Sequence, residues 1–140
     1  MERSTRMVFL WLTIMVGYCV HTLIDLLPVF FGGNVAIPGS EGVVPGGMYA
    51  FTGMIMFLLP VAGILLASYG VTRPWRVVHL VLSALVLLAN NFRLGDLVRT
   101  FLFGWSNWEQ CMVLPVILLV NVLLVWEAAR ALKSPRREQQ

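Results

Sequence analysis

Four long apolar runs organise this chain, separated by short polar or turn-rich connectors. The first runs from Met7 to Phe31 and includes FLWLTIMVGYCV; the second runs from Met48 to Tyr69, the third from Trp75 to about Leu97, and the fourth from Cys111 to Leu132. The hydrocarbon core of a bilayer takes roughly 20 apolar residues per helix. Each run is long enough, so the pattern predicts four transmembrane helices. Between them lie a Gly/Pro-rich loop (GGNVAIPGSEGVVPGG), a tight turn (GVTRP) and an aromatic connector (RTFLFGWSNWEQ). Short connectors make neighbouring helices antiparallel. The expected fold is all-α: an integral membrane protein, a four-transmembrane-helix up-down bundle, read as one domain over residues 1–140 with a basic tail at 133–140.

Composition sharpens this. Hydrophobic residues make up 59% and charged residues 12%, and the mean hydropathy is +0.82. Average soluble domains carry about 25% charged residues, and disorder needs low hydrophobicity with high net charge. Both classes are excluded. The net charge is +3, but the basic residues flank apolar runs, which points to membrane orientation and away from nucleic acid. Arg3, Arg6, Arg73, Arg76, Arg130, Lys133, Arg136 and Arg137 fall on one side, eight of the ten basic residues. The positive-inside rule then places both termini in the cytoplasm. Trp75, Trp105, Trp108 and Trp126 fall at predicted interfaces, as aromatic belts do. The first run is too long for a signal peptide and has no A-x-A site, so it reads as a retained span. A bacterial inner membrane is the expected location.

Small residues recur along the second span at Gly53, Pro60, Gly63, Ala67 and Gly70. Such residues let helices approach closely in lipid. Gly53, Gly63 and Ala67 are therefore the expected packing positions. Pro60 and Pro115 can bend their helices without marking a site.

Polar groups inside a span are costly, about 2.5–3.5 kcal/mol for a mid-helix Asp, Lys or Arg on insertion scales. His21 and Asp25 share one face of the first span, four residues apart. His79, Ser83, Asn90 and Arg93 share a stripe of the third, with Asn91 and Asp96 nearby, and Asn121 lies in the fourth. At 1.5 Å per residue, His21 and Asn90 both lie roughly 21–22 Å above the cytoplasmic edge, and Asp25 and Arg93 roughly 27 Å. An Asp25–Arg93 ion pair with His21 near Asn90 is therefore expected. His21, Asp25, Asn90, Asn91 and Arg93 form the candidate ligand or proton site, or else a buried pair that fixes helix register. His79 lies about 15 Å lower than His21 on the same count, which disfavours a haem gripped by both within one chain.

No catalytic or metal motif appears. Cys19 and Cys111 form no CxxC, GSEGVVPGG lacks the GK[ST] ending of a phosphate loop, and no H-E-x-x-H or G-x-S-x-G is present. The leading expectation is a non-catalytic accessory or assembly subunit of a larger membrane complex, with the bilayer and other membrane subunits, or itself, as partners. The first alternative is a small homo-oligomeric transporter or proton-coupled carrier using the His/Asp/Arg/Asn cluster. The second is a membrane redox or lipid-modifying protein that binds haem, quinone or lipid. No cofactor is assigned by the residues.

Overall fold

The computed structural model describes residues 2–33, 46–70, 72–103 and 110–133. Residues 34–45, 71, 104–109 and 134–140, with Trp105, Trp108, Arg136 and Arg137, lie outside the described residues. Helices α1 (Arg3–Phe30), α2 (Gly46–Gly53), α3 (Leu59–Tyr69), α4 (Arg73–Phe103) and α5 (Gln110–Lys133) follow in order. A π-helical segment, Met54–Leu58, joins α2 to α3 into one rod. Four stretches are long and apolar enough to cross a membrane: Arg3–Phe30, Tyr49–Tyr69, Arg73–Phe92 and Val113–Lys133.

Local chemistry explains the boundaries. The first helix starts before its apolar run because Arg3 and Arg6 are good helix formers. It ends where Gly32 takes φ 77°, a left-handed position open to glycine. The Gly33 N–H then closes the end on the Pro28 carbonyl at 2.7 Å. The π segment stands directly before Pro60. A proline lacks the N–H that would reach the carbonyl four residues back, and its ring crowds that group. The wider turn accommodates both effects.

Helices α1, α3, α4 and α5 each bury one narrow seam. On α1 it is Met7, Trp11, Ile14, Tyr18 and His21. On α3 it is Pro60, Gly63 and Ala67. On α4 it is His79, Ser83, Val86 and Asn90, and on α5 Leu114, Ile117, Asn121, Leu124, Ala128 and Ala131. Alternating steps of three and four are the heptad rhythm of helices packed at a shallow angle. Helix α1 packs along α3 and α5, and α4 packs along the same two. Helices α1 and α4 therefore face each other diagonally across the centre.

Two close approaches fix the neighbours. At Gly63 a Cβ would fall on the Trp11 indole, so only glycine lets α3 come this near α1. At Gly17 a Cβ would press on the Ile117 side chain of α5, 2.8 Å away. Ala67 is buried as well. Gly53 makes no such approach within the chain: it is exposed, with nothing within 4 Å of where a Cβ would stand. The stripe drawn at 3.6 residues per turn breaks at the π segment, which rotates the residues before it out of phase with Gly63 and Ala67.

Candidate functional site: a polar seam across the bundle

The α4 seam carries three polar residues and one valine, and two large aromatic side chains of α1 answer it. Trp11 and Tyr18 lie two turns apart on one face of α1. Both are long enough to reach across the bundle axis. The Trp11 indole N–H donates to His79 Nε2 at 2.9 Å, and the two rings meet edge to face, centroids 6.0 Å apart. Tyr18 Oη donates to Asn90 Oδ1 at 3.1 Å and accepts from Asn90 Nδ2 at 2.8 Å. Trp11 is 0%, Tyr18 2%, His79 3% and Asn90 3% exposed, so both contacts are removed from solvent. They are the diagonal locks of the bundle.

Between the locks the seam is filled. Ile14 and Val86 pack there. Ser83 Oγ donates to the His79 carbonyl at 2.8 Å, and Asn121 Nδ2 donates to the Ile117 carbonyl at 3.0 Å. Both are fully buried. Among the described residues, two buried polar atoms have no hydrogen-bond partner, Asn121 Oδ1 and His21 Nδ1. His21 Nε2 faces Asp25 Oδ2 at 3.7 Å, with the carboxylate half-exposed and the imidazole buried.

Of the residues singled out in the sequence, the structure brings His21 beside Asp25. It turns Asn90 to Tyr18, not to His21. Asn91 is exposed, and its amide bonds the Leu87 carbonyl one turn back at 3.0 Å. It therefore stands outside the seam, because residues adjacent in a helix point about 100° apart. The side chain of Arg93 lies outside the described residues, and the expected Asp25–Arg93 pair with it. His79 and Ser83 do share the buried face with Asn90, as their spacing predicts. Trp11 and Tyr18 are the members of this seam that motif reading passes over. Their signal is the rhythm Met7, Trp11, Ile14, Tyr18, His21.

At the end of the bundle holding Arg3 and Lys133, a second cluster closes the chain on itself. Glu127 of α5 meets Arg3 at 3.8 Å and Arg6 at 3.4 Å. Ser4 Oγ donates to the Ala67 carbonyl at 2.6 Å, and an Arg76 guanidinium N–H donates to the Ala131 carbonyl at 3.0 Å.

The chemistry of the locks is restrictive. An indole N–H only donates, and an amide holds its protons. The two contacts tie α1 to α4. Compared with known proteins, the chain matches no family model, no curated protein and no solved structure.

Proposed function

We propose that this chain is an integral protein of a bacterial inner membrane, with both termini cytoplasmic, and that it serves as a non-catalytic accessory or assembly subunit of a larger membrane complex. The observation that carries this reading is the inverted distribution of polarity. The buried seam holds His21, His79, Ser83, Asn90 and Asn121, while Phe9, Val16, Leu23, Phe57, Leu85 and Leu119 are exposed. Scattered exposed apolar residues are ordinary in soluble proteins, but this many large ones on every span suit a hydrocarbon solvent. Exposed polar groups are also satisfied in place: Thr13 and Thr22 bond the carbonyls of Phe9 and Tyr18. Lipid demands that economy. An interior occupied by Trp11, Ile14, Tyr18 and Leu124 is a scaffold more than a passage.

The eight basic residues at the terminal side support the cytoplasmic orientation. The remaining chemistry sits at His21 and Asp25. A buried imidazole nitrogen without a partner beside a half-exposed carboxylate favours a second reading, a small proton-coupled carrier working from that pair. Haem ligation through His79 would compete with the Trp11 N–H that its Nε2 already accepts, which leaves the version with one histidine from this chain and one from a partner to His21.

One experiment separates the readings. The chain is deleted from its native cell, and the abundance of other membrane proteins is quantified. Restoration with the wild-type chain and with Asp25→Asn follows. The accessory reading expects specific partner subunits to fall and both chains to restore them. Unchanged partners, or rescue by wild type alone, would overturn it in favour of the carrier.

A further inference from the structure

The outward hydroxyls of Thr13 and Thr22 are satisfied on their own helix, by the carbonyls of Phe9 and Tyr18. Asn91, which is also exposed, is satisfied only in part. It gives one amide N–H to the Leu87 carbonyl at 3.0 Å. Its carboxamide oxygen and its second N–H have no partner among the described residues.

Depth makes this costly. Asn91 follows directly on Asn90, whose partner Tyr18 lies close to the middle of the run Met7–Phe31. In the second span, the approach of Gly63 to Trp11 and the contact of Thr22 with Met56 bracket that level near Leu59, the middle of Tyr49–Tyr69. Helix α4 itself continues past Asn91 to Phe103. The open carboxamide therefore faces outward near the centre of the span, where hydrocarbon supplies neither donor nor acceptor.

The face around it has the pattern of a second seam. Val77, Val81, Ala84, Leu88, Asn91 and Gly95 recur in steps of four and three, and all are exposed. At about 100° per residue they lie on the far side of α4 from His79, Ser83, Val86 and Asn90. Ala84 and Gly95 are small, and nothing stands within 4 Å of where a Gly95 Cβ would be. A heptad rhythm holding one asparagine is the pattern by which helices pair in register, and small residues beside it let backbones approach in lipid.

We infer that this outer face of α4 is the docking surface for a second copy of the chain, paired in parallel through Asn91. The choice of a second copy follows from symmetry. Two copies inserted the same way are related by a two-fold axis along the membrane normal, which sets each Asn91 opposite its counterpart at the same depth. A carboxamide both donates and accepts. The free N–H of each copy then meets the oxygen of the other, while the remaining N–H stays on Leu87. The inference rests on the membrane reading above, and adds that the chain enters its complex as a pair.

The test uses the full chain in its native membranes, in a Cys19→Ala/Cys111→Ala background. Leu88→Cys lies on the outer face of α4, two residues before Asn90. Val16→Cys lies two residues before Tyr18, at the same depth on α1, across the bundle, and both positions are exposed. Mild oxidation should link Leu88→Cys into a species of twice the chain's mass and leave Val16→Cys largely unlinked. For the purified protein in micelles, energy transfer between labelled copies gives the dissociation constant of the pair. Asn91→Leu should raise it about tenfold, as two interhelical hydrogen bonds are lost. Asn91→Gln, which keeps the carboxamide, should stay closer to wild type. Circular dichroism verifies that each variant folds. Equal linking at both positions would mean chance collision in the membrane plane and would overturn the interface. So would linking of Leu88→Cys only to a different protein, or an unchanged constant in Asn91→Leu. Failure of the membrane reading is distinguishable, since alkaline carbonate would then release the wild-type chain. The accessory reading is tested apart from this, because the link is read between copies of this chain whatever else the particle holds.

Discussion

Replacing Tyr18 by Phe removes one oxygen and, with it, both hydrogen bonds of the upper lock. The ring stays, so the packing volume of the seam is nearly unchanged. Asn90 is left with a buried carbonyl and a buried amide facing an apolar ring edge. Interhelical hydrogen bonds in membranes average about 0.6 kcal/mol and reach about 1.7. Two of them give about 1–3 kcal/mol, and an unsatisfied buried group costs about the same. Tyr18→Phe should therefore destabilise the bundle by about 1–3 kcal/mol, a ten- to hundredfold shift of the folding equilibrium at the centre of that range. Asn90→Leu alone takes the Asn90 partner from the Tyr18 hydroxyl. The double variant removes both partners and should recover much of the loss. The assay is reversible unfolding in mixed micelles, followed by circular dichroism, for the four members of the cycle. A coupling near zero, with Tyr18→Phe within about 0.5 kcal/mol of wild type, would refute the argument that this pair fixes α1 against α4.

Other outcomes follow from the same contacts. Gly63→Ala forces the Trp11 indole to move and should cost about 1–3 kcal/mol in the same unfolding assay, whereas Gly53→Ala, in open space, should be neutral or stabilise by up to about 1 kcal/mol. Trp11→Phe leaves His79 Nε2 buried without a donor and should lower stability by about 1–3 kcal/mol; loss of the same size in a His79→Leu background would contradict the pairing. Glu127→Gln should lower the thermal midpoint only slightly, since Arg3 and Arg6 are partly exposed, and the difference should shrink in high salt.

Much of this organisation is legible in the sequence, and what is not has identifiable causes. The four helices follow from run length, because a helix that crosses a bilayer takes about 20 apolar residues. The stripe His79, Ser83, Asn90 is readable because polar residues stand out against leucine and valine at helical spacing. Trp11 and Tyr18 are not readable the same way. In an apolar run an aromatic residue counts as one more hydrophobe, and only the tertiary packing reveals that its polar end is used. Depth arithmetic sets His21 level with Asn90 but ignores side-chain length, and the long phenol of Tyr18 spans a diagonal that places it at Asn90. Gly53 stands apart from Gly63 and Ala67 for a different reason, since a π segment changes the period on which the stripe was drawn.

The central claim is that this small bundle is a packed structural subunit and not a self-sufficient carrier. The most direct measurement is the native mass of the particle it forms when released from its own membranes in mild detergent. The account predicts unrelated membrane subunits in fixed stoichiometry with the chain. A monomer or a homo-oligomer of this chain alone would contradict it.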